Sequence, residues 1–497
     1  MLRTTSFCLV CAFVLSGCSK PPPPPDPKAR FQGVTLKVLI MPSDKLQACI
    51  EDQRGEWSAQ TGGQVEVEQV SVNDVVAPGG SIAGSALAEQ SAFTGDILIF
   101  PATDMANVVA SGYATRVPKE VFGAPQYESM DIALGVQDQI ISWDRHAYGV
   151  PMSAESLLLY YRVDLLSDPA RRQEFQEKFG RPLEPPKTWK AFDELARYFG
   201  NQDLDGDGEP DRAVTISSAG EALLCRAAAY GKPPQNLSFF FDVNTLDPLT
   251  TSPPFQEALA KWLEIMPYVA VPQASDRSLS SFSAGKTVFA IGSSRLAELW
   301  MRPGNAGPQN KIAGRVACAA TPGSARVYQH DKLDWADLSP DKLNHVGIID
   351  GTVAAVPKKA RYPEAAFDFL TFLTNRERSL PYVTTSAYGL GPYRSSHLVD
   401  TAAWAASGWT SSGTASYLSA MRASLNQGNV VAALRIDASG RYHQSLDQAA
   451  LAAFQREGSS TDVLSTLGAD WKRISDERGL DRQRRNYRYS LGMPVLN

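Results

Sequence analysis

Leu36-Lys37-Val38-Leu39-Ile40 is a short apolar run that reads as a buried strand. Leu46, Ile50 and Trp57 follow at the spacing of one helix face, and that helix is expected to end near Gly62-Gly63. Val65-Glu66-Val67-Glu68 then alternates with period two, and Asp96-Ile97-Leu98-Ile99-Phe100 is a further apolar strand. Strands separated by helices imply an α/β fold with a mostly parallel sheet. Further along, Pro185-Pro186-Lys187-Thr188 offers Thr188 as an N-cap. Trp189, Phe192, Leu195 and Phe199 continue from it on one helical face, and Val214 to Ile216 returns to strand. The last hundred residues read as helical, with Leu464, Leu467, Trp471 and Ile474 forming a core stripe. No internal repeat is visible.

The chain has 497 residues, 43% hydrophobic and 20% charged, with 48 basic and 53 acidic side chains and a formal charge of −5. At about 100–200 residues per domain, this length holds two to four units of ordinary globular composition. Disorder, collagen and a small disulfide scaffold are excluded. The slightly acidic balance gives no support to nucleic-acid binding. No run of 18 apolar residues occurs, which excludes a membrane-spanning helix.

The first residues differ from the rest. Arg3 precedes the apolar core Phe7 to Leu15, which is long enough for a signal peptide and too short to span. Leu15-Ser16-Gly17-Cys18 follows and resembles the lipobox of bacterial lipoproteins, which implies cleavage before Cys18 and lipid on its sulfur and new amino terminus. Several acyl chains on one residue hold a protein at a membrane far better than one. The alternative is a simple secretory signal with a cysteine at its cleavage site. Pro21 to Pro25 and Pro27 favour polyproline II, a stiff spacer of roughly 3 Å per residue. Cys49, Cys225 and Cys318 lack CxxC spacing, so a zinc site is not expected. An oxidising exterior permits one disulfide among them, with the pairing open.

Four separated segments carry a family resemblance. Tyr148-Gly149-Val150-Pro151, running on to Tyr160-Tyr161-Arg162-Val163-Asp164, resembles the hinge strand of extracellular solute-binding proteins of the maltose-binding-protein-like family, the receptors of ABC-type sugar importers. Pro185-Pro186-Lys187-Thr188-Trp189 is similar to that family's PPKTW helix start. Phe282 to Ser293 resembles its F-x-x-G-K-x-A-M segment, and Val353 to Pro357 with Tyr362 to Leu370 its P-E-A-A-W-x-F stretch. The likeness covers roughly residues 34–395, in the family's order. It implies a two-lobed α/β fold of the type II periplasmic-binding-protein kind, with a ligand cleft between lobes joined by hinge strands. After a signal peptide (1–17) and a lipidated linker (18–33), lobe one is expected at 34–153 plus 313–382 and lobe two at 156–300 plus 383–497. Lobes would close around ligand by a hinge motion.

The same resemblance implies ligand contacts. Asp44 and Lys45 follow the first strand, where the family has an Asp-Lys pair in the cleft; the alternative is Asp44 as a helix cap. Glu155 holds the position of a sugar-binding Glu, amid apolar neighbours that make an unpartnered carboxylate costly; the alternative is a hinge salt bridge. Phe100 replaces the family's usual Trp, with Asp104 beyond it. Ser294 and Arg295 stand where a stacking aromatic is expected, a departure that puts a maltose-like ligand in doubt; Arg295 suits a carboxylate, a phosphate or a ring face. Trp300, Asp350, Tyr393 and Arg394 lie in segments that border the cleft in relatives, and Trp404 and Trp409 are candidate exposed stacking platforms.

Asp203-Leu204-Asp205-Gly206-Asp207-Gly208-Glu209-Pro210-Asp211 places carboxylates at alternate positions, as calcium loops do. It departs from an EF-hand because its twelfth position is Val214. Asp203, Asp205, Asp207 and Asp211 repel one another without a cation, which favours a structural calcium; the alternative is a solvated acidic turn. Enzyme motifs are missing: no GxSxG, HExxH, P-loop or GxGxxG after a strand, and five His without ligand spacing. The expected function is a monomeric, lipid-anchored, extracytoplasmic receptor that catalyses nothing and hands a carbohydrate-like ligand to an ABC permease. The alternatives are a surface polysaccharide hydrolase or lyase, whose two carboxylates no motif excludes, and a ligand sensor without transport.

Overall fold

Ten strands join in one mixed sheet. They are β1 (Thr35–Ile40), β2 (Gln64–Gln69), β3 (Ile97–Pro101), β4 (Val150–Arg162), β5 (Val214–Ile216), β6 (Val269–Ala270), β7 (Phe289–Ser293), β8 (Val316–Ala320), β9 (Gly347–Ala355) and β10 (Val430–Ala432). The structure, a computed structural model, describes residues 27–71, 95–270, 279–339, 341–385, 387–426, 428–455 and 460–494. The expected signal segment, Cys18 and the proline run from Pro21 to Pro25 lie outside the described residues.

Strand order is β2-β1-β3-β9-β4-β7-β5-β6, with β8 beside β4 and β10 beside β9. β1 is parallel to β2 and β3, and β5 is parallel to β6 and β7. The centre departs from the mostly parallel expectation: β9 is antiparallel to β3 and β4, and β4 is antiparallel to β7 and β8. Parallel neighbours require crossover connections. β4 and β9 instead carry the chain between the two halves of the sheet in opposite senses. Along β4, residues 150–156 pair with β9, and 157–161 pair with β7.

β4 is buried at every position except Glu155 and Tyr161, as a strand covered on both faces must be. Successive side chains leave its opposite faces. Leu158 and Tyr160 enter a core with Val38, Ile99, Trp300, Val316 and Met421, while Leu157 and Leu159 enter one with Phe192, Val214, Trp262 and Trp471. The first of these cores runs without a break across the boundaries expected between lobes.

Local signals were obeyed closely. In α1 (Asp44–Thr61) the N-cap is Ser43, whose Oγ accepts from the Leu46 N–H at 3.2 Å; Asp44 is already inside the helix, and the capping role considered for it falls to its neighbour. Gly62, at φ 79°, ends the helix in the left-handed conformation that glycine adopts without strain. α2 (Trp189–Phe199) starts on Thr188, whose Oγ1 accepts from the Ala191 N–H at 3.1 Å. Three more helices build the site, α3 (Ala219–Gly231), α4 (Ser411–Leu425) and α5 (Ser439–Phe454), and α6 (Ser460–Arg478) packs in the core behind them. The stripe Leu464, Leu467, Trp471 and Ile474 on α6 is buried as expected. Cys49, Cys225 and Cys318 are each buried and free, so the permitted disulfide is not formed among them. No helix of the described residues is long and apolar enough to cross a membrane.

Candidate functional site

Antiparallel pairing of β4 with β9 sets Glu155 directly opposite Asp350, where the two halves of the sheet meet. Glu155 is partnered: its Oε1 lies 2.7 Å from Arg295 Nε, and its Oε2 accepts from Ser293 Oγ at 3.1 Å. Two cavities flank this ion pair, with Arg295 lining the smaller and Glu155 the larger.

The smaller cavity, about 340 Å³, has its walls in the β1–α1 loop, the end of β3, and residues 383–385 and 388–391. Its floor is aromatic. Trp404 meets Trp409 edge-on at 4.9 Å, and Tyr417 of α4 lies 4.9 Å from Trp409. Phe100 and Lys45 also line it, and Lys45 Nζ lies 3.7 Å from a Glu298 oxygen. The two tryptophans are not the exposed platforms expected from sequence: Trp404 is 1% and Trp409 8% exposed, and their indole N–H groups donate to His397 O and Thr384 O.

The larger cavity, about 720 Å³, lies between β4, β9, the N-terminus of α3 and one face of α5. His443, Gln444, Asp447, Gln448 and Leu451 face it at helical spacing along α5. Ser218 caps α3 by accepting from the Glu221 N–H, and it donates through Oγ to Asp447 Oδ1 at 2.6 Å. Asp447 also accepts from the Gly220 N–H at 3.0 Å, which ties α3 to α5. Asp350 Oδ1 accepts from the Gly351 N–H at 2.7 Å. Burial first, and then the Glu155 carboxylate beside it, raises the Asp350 carboxyl to about 7. Burial lowers the His443 imidazole below its ordinary value, and its Nε2 has no hydrogen-bond partner among the described residues.

Lys45, Phe100, Glu155, Ser294, Arg295 and Asp350, expected at the ligand, thus line the two cavities. Five other candidates do not. Asp44 accepts from Gln69 Nε2 at 3.0 Å outside both. Asp104 accepts from Asn107 Nδ2 and lies beside the larger cavity, which only its neighbour Thr103 lines. Trp300 is fully buried, packed edge-on against Tyr160 and Phe282 with its N–H on Ser283 Oγ. Arg394 is also fully buried, donating to Thr374, Glu128 and Tyr127 carbonyls with Asp131 at 3.6 Å; it joins segments and reaches no cavity. Its neighbour Tyr393 is buried in the core as well. The polar face of α5 and the Ser217–Glu221 segment were not anticipated, because a polar helix face has the same sequence pattern whether it meets solvent or a cavity.

Away from the cavities, one carboxylate oxygen each from Asp203, Asp205 and Asp211 lies within 4.8 Å of the others. Gly206 and Gly208, at φ 83° and 87°, make the turn, and their N–H groups both donate to Asp203. Asp207 does not join the cluster: it turns to Lys286 Nζ at 2.7 Å, where a neighbouring cation satisfies it. Asp205 Oδ2 is buried with no hydrogen bond among the described residues, and Lys311 and Lys286 stand 3.7 and 3.9 Å away.

Residues 56–408 match the model of a family described as bacterial extracellular solute-binding protein. The chain belongs to that family. The match places this solute-binding protein outside the cytoplasm. Among solved structures it is similar to the sugar-binding protein MalE from Xanthomonas citri, with 17% identity, a TM-score of 0.64, and coverage of 90% of this chain and 98% of that one. An ABC transporter solute-binding protein from Agrobacterium radiobacter in complex with ribitol has 16% identity, a TM-score of 0.61, and coverage of 89% and 99%. Maltose-bound MalE3 from T. maritima has 15% identity, a TM-score of 0.58, and coverage of 89% and 100%. These likenesses establish the two-lobed periplasmic-binding-protein fold. No curated protein sequence matches the chain.

Proposed function

We propose that this solute-binding protein captures a sugar- or polyol-like ligand at the crossing of β4 and β9 and delivers it to an ABC permease, acting as a monomer tethered through lipid on Cys18. The observation that carries the reading is the pair of cavities on either side of Glu155–Arg295, one floored by aromatic rings and one ringed by carboxylates, hydroxyls and amides. Sugars present both kinds of surface: C–H faces for rings, and paired hydroxyls for a few well-placed polar groups. Ribitol, D-mannitol and maltotetraose in related structures support that ligand class. Ligand bridging both halves of the sheet would favour their closed arrangement. Lys45, Phe100, Glu155, Ser294, Arg295 and Asp350 are the proposed ligand-facing residues. The chain's part is binding; ATP hydrolysis belongs to the importer.

The test is thermal unfolding of the full chain in detergent against sugars, polyols and sugar acids. Ligand at 100 times its Kd adds about 2.7 kcal/mol of stability. The expected result is an upward shift for one class, lost in Glu155→Ala, with the ligand recovered unchanged. No shift, together with release of reducing ends from a glycan, would replace capture by hydrolysis.

We also propose that Asp203, Asp205 and Asp211 hold a calcium ion, with a structural role. The gathered oxygens and the buried, hydrogen-bond-free Asp205 Oδ2 support it.

A further inference from the structure

One polar side chain of the larger cavity is left incomplete. His443 lies on the cavity face of α5, one turn before Asp447 and beside Gln444. Its ring is half-buried, and its Nε2 is shielded from solvent with no hydrogen-bond partner among the described residues. Among those residues, no other side chain lining this cavity has a shielded nitrogen or oxygen without a partner. A neutral imidazole carries one donor and one acceptor nitrogen, and leaving either unpaired inside a protein costs stability. Burial is what lowers this imidazole below its ordinary value, and it keeps the ring neutral. The buried His397 shows what a structural histidine looks like in the same chain. Its Nε2 lies 2.8 Å from Ser379 Oγ and its Nδ1 accepts from the Tyr393 N–H at 3.4 Å, so both nitrogens are spent. His345 also has an unpaired Nδ1, but it lines neither cavity. Only at His443 do a shielded, unpaired nitrogen and a cavity wall coincide. Gln444 and Gln448 extend the same face with amides that both donate and accept. α5 lies beyond residue 408, where the family match ends, so the features that define the family do not prescribe this wall.

We infer that His443 contacts the captured solute, its imidazole pairing with a ligand hydroxyl, and that this contact selects among polyhydroxylated solutes. The inference rests on the proposed capture of a sugar-like solute and names the residue that sets its preference. A solute hydroxyl both donates and accepts, so it satisfies whichever ring nitrogen faces it. A solute with no hydroxyl at that point leaves the nitrogen unpaired in a closed cleft and binds more weakly for it.

The experiment is calorimetric titration of the full chain in detergent with D-mannitol, ribitol, maltose and maltotetraose, on wild type and on His443→Leu. The expected result is that His443→Leu binds the tightest of these probes roughly tenfold more weakly and the others with a smaller loss. Without ligand, its unfolding temperature should equal or exceed that of wild type, because an apolar side chain removes the unpaired nitrogen. A purely structural histidine would give the opposite pair of results. His443→Gln, whose amide reaches where Nε2 stands, should restore the affinity, and the shorter His443→Asn should not. That second comparison decides the matter should His443→Leu not fold. Equal Kd values in wild type and the Leu or Asn variant overturn the inference and leave sugar capture standing. Equal weakening of all four probes overturns the selecting role. Silence of all four on wild type overturns both capture and contact.

Discussion

Asp350 ties its protonation to the stability of the fold. Its carboxyl is raised to about 7 by burial, by Glu155 and more weakly by Glu221, against the lowering effects of the Gly351 N–H and Arg295. In the unfolded chain it titrates near 3.9. The folded state therefore holds the proton more tightly; this stabilisation is complete below about pH 4 and is lost as pH rises through 7. Three units correspond to about 4 kcal/mol, an upper bound for a side chain that is only partly buried. Asp350→Asn cannot ionise. It should resemble wild type at pH 4 and be more stable than wild type at pH 8, read by urea unfolding at both values. A difference that does not change with pH would mean that Asp350 is already ionised, its charge balanced in the unliganded protein. The same comparison with Glu155 shows what sequence could reveal at this scale. Glu155 was legible because a carboxylate inside an apolar run needs a partner. That Asp350 lies opposite it depends on a strand pairing no local pattern encodes. Trp300 and Arg394 misled for the converse reason: a large aromatic and an arginine look alike in sequence whether they meet ligand or, as here, bury themselves in packing and carbonyl contacts.

Elements were more legible than pairings. Thr188 announced α2, the i, i+3, i+7 stripe announced α6, and the alternating aspartates announced a tight turn, because each signal is complete within a dozen residues. What the turn's sequence did not contain was Lys286 and Lys311, which arrive from elsewhere in the chain and partly neutralise it. They alter the expectation for calcium. Asp207 is satisfied by Lys286, leaving three carboxylates, and the lysines near Asp205 oppose a divalent ion. Calcium should therefore raise the unfolding temperature only at millimolar concentrations, and a chelator should lower it back. Lys286→Gln removes the competing charge and should shift the calcium response to lower concentration, while Asp205→Asn should abolish it. A calcium response unchanged in Asp205→Asn would place the ion elsewhere, and no response in Lys286→Gln would leave a turn held by lysines alone.

At the scale of the molecule, the question is how the walls of the smaller cavity are held to the strands that join the two halves. Gly391 is the attachment point. Its N–H donates to Ser153 Oγ at 2.7 Å and its carbonyl accepts from the Ala154 N–H at 3.4 Å, one residue before Glu155. A Cβ at Gly391 would stand 2.0 Å from the Ala154 carbonyl oxygen, a backbone atom that has no rotamer to escape into. Gly391→Ala must therefore push the cavity-lining segment off β4, with a cost of about 1–3 kcal/mol in stability from overpacking. It should weaken ligand binding by roughly tenfold or more as the wall moves relative to Arg295 and Phe100. Gly55 is the matched control: it lies exposed within α1, and nothing approaches its Cβ position within 4 Å. Gly55→Ala should raise stability by about 0.5–1 kcal/mol through helix propensity and leave the Kd unchanged. Unfolding free energy and Kd measured on both variants separate the two effects. If Gly391→Ala loses stability but keeps its Kd, the segment only braces the fold, and the ligand lies wholly in the larger cavity on the far side of Glu155.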